Sequence, residues 1–319
     1  MMTLGRRRFL QATAIGLAGV LVLVARRVYL SERPVPPPRG VEAPVTWPGF
    51  AVFAEAVRTS ADDQYLLVES NGMPDHPMMI GIRSWQQQVP LPQPYVGDNA
   101  WRIPLHGVVA EHPTSARTGL YRGAIALAVN GVPIFNALKD HGIDVYLAGE
   151  LDRWGGHAGR ADDYHYHTAP LHLQATAGPG APIGFALDGF PLYGLEEPDG
   201  SPSRPLDELN GHADPVDGYH YHATPTYPYI NGGLRGMVSV HNDQIEPQPR
   251  TTPIRPSLTP LRGASVTDFR IVGPDSYSLE YRIADAPYLV NYRHEGRAYT
   301  FDFVSPDGRT RTETYRERG

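Results

Sequence analysis

The sequence predicts a mainly β protein, and three observations carry that expectation. Gly and Pro supply 33 and 32 of the 319 residues, which favours turns and short strands over long helices. Two apolar runs, GAIALAV and VPIFN, flank Asn130-Gly131, and a second pair, IGFAL and FPLYG, flanks Asp188-Gly189. Both read as β-hairpins, with Asn-Gly suited to a type I′ turn. From Val266 the segments SYSLEYRI, YLVNYR, AYTFDFV and RTETYR alternate apolar and polar residues between turn signals, the pattern of a small antiparallel meander over 264–319. No amphipathic helix stands out after residue 30.

In chain order, Arg6-Arg7-Arg8-Phe9-Leu10 has a twin-arginine pattern, followed by the uncharged run Ala12 to Ala25. It reads as a twin-arginine-type export signal over 1–30. The other reading is an N-terminal membrane anchor, since Arg26-Arg27 closes the run without a small-x-small cleavage motif. Either one expects an extracytoplasmic protein: periplasmic, cell-surface or secreted. The Pro-rich stretch 31–59 reads as a tether. Tyr65 to Glu69 reads as a strand, Ser70 to Pro74 as turn chemistry, Trp85 to Pro94 as irregular and Trp101 to Val109 as strand-like. Residues 60–245 make the main domain, and five prolines between Pro247 and Pro260 mark 246–263 as a linker.

The main domain contains a repeat. Residues 151–170 (LDRWGGHAGRADDYHYHTAP) and 206–225 (LDELNGHADPVDGYHYHATP) match at 11 of 20 positions with a constant offset of 55. With the hairpins, this gives a duplicated hairpin-plus-histidine-block unit over 124–170 and 182–225, expected within a β-sandwich-like domain. Net charge is −6 and the body of the chain has no basic run, so nucleic acid is not an expected partner. With no cysteine, thiolate ligands, thiol nucleophiles and disulfides are excluded.

The block carries chemistry. In a strand, side chains alternate between faces, so His165 and His167 share one face and Tyr164 and Tyr166 the other; His220 and His222 are related in the same way to Tyr219 and Tyr221. Two imidazoles rooted about 7 Å apart on one face can converge on one ion. A third histidine, His157 or His212, lies eight residues upstream behind a glycine that suits a tight turn. The pattern offers three nitrogen ligands with an open position, which fits copper or zinc. Asp152, Asp162, Asp207 and Asp217 recur beside the histidines and are candidates to orient them. For the tyrosines, core packing is the default. His241 is a candidate extra ligand. Metal binding is expected to weaken below about pH 6, because a ligating imidazole must be neutral. No phosphate loop, Gly-x-Ser-x-Gly elbow or His-Glu-x-x-His helix is present.

These residues resemble the YHYH domain family. The resemblance spans roughly 60–245. It rests on Ser70 to Pro77, Asn130 to Asn136, Gly156-His157 with Tyr164 to His167, Asp188 to Pro191, Asn210 to His212, Tyr219 to His222 and Pro225 to Tyr229. It implies an exported bacterial-type protein, with the second block as its most typical part, and brings no catalytic residues. The expected function is an exported transition-metal-binding protein. The alternatives are a metal-dependent enzyme, hydrolase or oxidoreductase, and a non-metal interaction domain with packed histidines.

Overall fold

The turn residues and the apolar alternation set the strands. The computed structural model describes residues 47–83 and 85–317. The signal or anchor expected over 1–30 and most of the tether lie outside the described residues. Strands β1 (Arg58–Ala61), β2 (Tyr65–Glu69) and β3 (Trp101–Pro104) form a three-stranded antiparallel sheet. β4 (Val109–Ser115) leads into the hairpin β5 (Ala124–Ala128) and β6 (Pro133–Phe135). The short ribbon β7 (Leu138–Lys139) and β8 (Ile143–Asp144) follows, then β9 (Gly156–Ala158) and β10 (Tyr164–Tyr166). One short helix that the sequence did not announce, α1 (Leu173–Ala177), separates the copies. The second copy supplies β11 (Gly184–Ala186), β12 (Pro191–Tyr193), β13 (Gly211–Asp214) and β14 (Gly218–His222). β15 (Gly233–Gly236) pairs with β4, and β16 (Ser239–His241) with β17 (Gln244–Glu246). The meander is β18 (Ala264–Gly273), β19 (Ser276–Ile283), β20 (Ala286–Glu295), β21 (Ala298–Val304) and β22 (Thr310–Arg316), in sequence order.

The two copies share one strand order. The eight-stranded sheet runs β13-β14-β12-β11-β5-β6-β10-β9. From the centre outward, each copy therefore places first hairpin strand, second hairpin strand, Tyr-His strand, upstream-His strand. The inner pairing is equivalent too: Ile134 lies opposite Tyr166 and Leu192 opposite Tyr221, both parallel. Within this multi-sheet domain the two copies sit edge to edge in one continuous mixed sheet, because β5 and β11 hydrogen-bond to each other.

The hairpins turn differently from the type I′ expectation. The Ala128 N–H donates to the Val132 carbonyl and the Gly131 N–H to Ala128, and only Gly131 of the loop has positive φ (78°). Ala186, Phe190 and Gly189 (φ 92°) repeat this arrangement. This is a three-residue loop that ends in a glycine bulge. It leaves Asn130 and Asp188 with ordinary backbone and inward-facing side chains, both buried.

Two segments read as loose are anchored. Phe50 is buried and stacks on Phe185 at 5.7 Å, so the end of the expected tether packs on the central sheet. In the expected linker, Gln248 accepts the Ala124 N–H, and Arg255 is 4% exposed in a bidentate pair with Asp162. The meander also packs on the rest: Tyr292 donates to the Pro90 carbonyl, and Gly81 N–H to Val266. Proline confines the backbone here without freeing the segment, because the apolar and polar side chains between the prolines find buried partners.

Candidate metal centres

The tyrosine face of each block is the anchor. Tyr164 is buried and donates to Asp152 (2.8 Å), whose oxygens also accept the N–H groups of Met79, Trp154 and Gly156. Tyr219 donates to Asp207 (2.9 Å), which accepts from Leu209 and Gly211. The second tyrosine of each block is held from the hairpin loop, Tyr166 by Asn130 (3.1 Å) and Tyr221 by Asp188 (2.5 Å), and Tyr166 also meets His76 (2.9 Å) from the segment after β2. Buried hydroxyls need such partners, since an unpaired one costs about 1–3 kcal/mol. With both rings pinned, the alternation of the strand fixes the histidines on the opposite face.

The third histidine arrives by strand pairing. His157 lies directly opposite His165 on β9, and His212 opposite His220 on β13. The eight-residue spacing is therefore a hairpin register. The glycine before each has a different duty from the turn expected of it. A Cβ on Gly156 would sit 2.5 Å from the Tyr164 hydroxyl, and one on Gly211 would sit 2.3 Å from that of Tyr219. The glycines give the tyrosine rings room to lie across the neighbouring strand.

The rings converge. In the first centre His167 Nε2 lies 3.1 Å from His165 Nε2 and 3.2 Å from His157 Nε2. In the second, His212 Nε2 lies 3.3 Å from His222 Nε2, and a carboxylate joins them. Glu197 Oε1 is 3.0 Å from His212, and Oε2 is 3.2 Å from His220 and 3.5 Å from His222. Both groups could hold a metal ion: His157, His165 and His167, and Glu197 with His212, His220 and His222. Glu197 escaped the sequence reading because it precedes the second block, in the loop that differs between copies. A signal existed: carrying the 58-residue hairpin offset forward places Glu197 on Lys139.

The four aspartates do not orient the histidines. Asp152 and Asp207 hold tyrosines. Asp162 pairs with Arg255 and accepts the Val89 N–H, and Asp217 is exposed. Backbone carbonyls do the orienting. The Nδ1–H groups of His157, His165 and His167 donate to Glu150, Asp163 and Asn136 (3.1, 3.0 and 2.6 Å). Those of His220 and His222 donate to Gly218 and Gly194 (3.1 and 3.2 Å). A carbonyl has no proton to give, so this tautomer leaves each Nε2 as a bare lone pair. His241 is exposed on β16, outside both groups.

Burial keeps the rings of His157 and His167 neutral. It drives His157 down to about 3, helped by His165 and Lys139, and lowers His167 well below the ordinary value, helped by its two partner rings. Protons therefore compete for His157 and His167 at more acidic pH than the pH 6 expected from an ordinary histidine. In the second centre burial alone would raise the Glu197 carboxyl. The N–H that Arg204 donates to it, and the neighbouring histidines whenever they carry a second proton, act against this, and the group lies below its ordinary value.

Residues 100–204 match the family model described as YHYH protein. The match is narrower than the resemblance over 60–245, and it holds the first Tyr-His-Tyr-His and Glu197 while ending before the second block. No curated protein and no solved structure matches the chain.

Proposed function

We propose that this chain with a YHYH domain is an exported transition-metal-binding protein with two histidine centres, for copper or zinc. One observation carries the metal reading: bare imidazole lone pairs face one another in the protein interior. Among His157, His165 and His167 they lie 3.1 and 3.2 Å apart with every Nδ1–H already committed to a carbonyl. Acceptors pressed together away from water are unfavourable unless a cation sits between them. Zinc–nitrogen bonds of about 2.0–2.1 Å in a tetrahedron put neighbouring nitrogens about 3.3 Å apart, close to this spacing. Merely packed histidines would have no reason to aim Nε2 at one point.

Export rests on the Arg6-Arg7-Arg8-Phe9-Leu10 pattern and the apolar run behind it. The metal reading is tested by elemental analysis of protein purified from its export compartment and after reconstitution with copper and with zinc. Two equivalents are expected. Less than about a tenth of an equivalent of any transition metal would sink it.

A further inference from the structure

The two centres differ at one equivalent position, and the difference has a chemical consequence. Asn136 and Gly194, 58 residues apart, each accept from the last histidine of their block. Leu138 opposes Asp144 and Glu196 opposes Pro202, again 58 apart, so the next residues, Lys139 and Glu197, are structural counterparts. In the second centre that position gives a carboxylate whose two oxygens between them lie 3.0–3.5 Å from the Nε2 atoms of all three rings. Three nitrogens and an oxygen complete a four-coordinate site around which His220 and His222 are fully buried.

In the first centre the position holds the chain's one lysine, with its ammonium 2.5 Å from Glu150. A protonated amine cannot ligate a cation, so the fourth position is left to a molecule from outside. Space exists for one. A cavity of about 310 Å³ opens on His157, His165 and His167, and Lys139, Arg83 and Arg160 also line it. Glu150 is the carboxylate among the lining side chains, so positive groups outnumber negative ones in a protein of net charge −6. A dication there would add two charges with no carboxylate among its ligands; the buried Asp163 carboxylate, 3.5 Å from His165 Nδ1, offsets one of them, and the charge left over in a partly enclosed site is costly.

We infer that the first centre binds a small oxyanion, a carboxylate or a phosphate, at the open position of its metal, with Lys139 as the second contact for the anion's charge. This rests on the metal reading above. The second centre, closed by Glu197, holds its ion without such a partner.

The test uses the full chain loaded with cobalt(II), whose visible spectrum reports its ligands, titrated with sodium acetate and with inorganic phosphate. His220→Ala isolates the first centre and His165→Ala the second; His212→Ala and His157→Ala serve if either fails to fold. The first centre's spectrum is expected to shift with at least one anion, and the second centre's with neither. A response to acetate alone identifies a carboxylate site, and a response to phosphate alone a phosphate site. Lys139→Met in the isolated first centre is expected to weaken anion affinity tenfold or more, and Lys139→Glu to abolish the response while cobalt still binds. A cobalt-loaded first centre that ignores both anions, or equal anion affinity in Lys139→Met, overturns the proposal and leaves the metal reading standing. Failure of both centres to take up cobalt, zinc or copper overturns both.

Discussion

Leu127 lies directly opposite Phe185 where the two copies join, and the two residues are each other's counterparts in the repeat. Ala126 opposes Ala186 and Ala128 opposes Gly184, so the offset of 58 that maps one hairpin on the other also reverses the pairing. A pseudo-two-fold axis therefore passes between Leu127 and Phe185. One antiparallel strand pair turns two half-sheets into a single sheet and removes two exposed edges, which would otherwise invite pairing with other chains.

The seam should be a stability hot spot. Phe185 is 5% exposed and packs on Phe50 and Trp47 as well as across the pair. Phe185→Ala is expected to cost about 3–5 kcal/mol, read from urea unfolding. A loss under about 1 kcal/mol would mean that the join is not a cohesive interface.

Glu197→Gln keeps the shape of the second centre and removes its charge. Zinc affinity there is expected to fall by at least about tenfold, a loss that even residues outside the ligand set can cause. The first centre should be unaffected. Competition with a chelator, centre by centre, reads this, and unchanged affinity at the second centre would remove Glu197 from the ligand set.

Asp162 serves the fold. Burial pushes its carboxyl up, and the hydrogen bonds and charge of Arg255 oppose that. Breaking a buried pair from one side leaves an unpaired charge, so Arg255→Met is expected to destabilise by about 3–5 kcal/mol. Adding Asp162→Asn should recover part of the loss. Metal stoichiometry should stay the same in both variants, and a lost equivalent would restore Asp162 to the metal site.

Acid sensitivity should trace to a histidine pair away from the centres. His76 and His172 lie 5.0 Å apart beside Trp154, and burial lowers both, His172 to about 4. An unfolded histidine titrates near about 6.5. Between those values the unfolded chain binds more protons, so the contribution of neutral His172 is full above about pH 6.5 and is lost as pH falls toward 4. Burial shifts Asp152, Asp162 and Asp188 upward, which acts in the opposite sense. The clean measurement is therefore a difference. The stability of metal-free wild type relative to His172→Gln should fall between pH 7 and pH 5. A constant difference would refute the assignment.

Export should depend on the paired arginines. A folded reporter carrying residues 1–40 is expected to cross the membrane, and Arg6→Lys with Arg7→Lys is expected to block it. Undiminished export of the double variant would point to the general secretory route or a plain anchor.

The sequence by itself determined the mainly β character, the last four strands of the five-stranded meander, with β19 and β21 matched in full and β20 running two residues further at each end, and the six histidines in two equivalent triples. Those features are written in side-chain periodicity and in a repeat, and both survive without knowledge of long-range contacts. Tertiary structure decided the rest. The acceptors that set the tautomers of His157, His165, His167, His220 and His222 are backbone carbonyls, which every residue carries and no residue type announces. The anchoring of Arg255 on Asp162 spans 93 residues, and nothing local at either end calls for the other. Glu197 and Lys139 look like ordinary loop charges until strand pairing brings each to its histidines. Only then does one backbone position, filled by opposite charges, distinguish the two histidine groups.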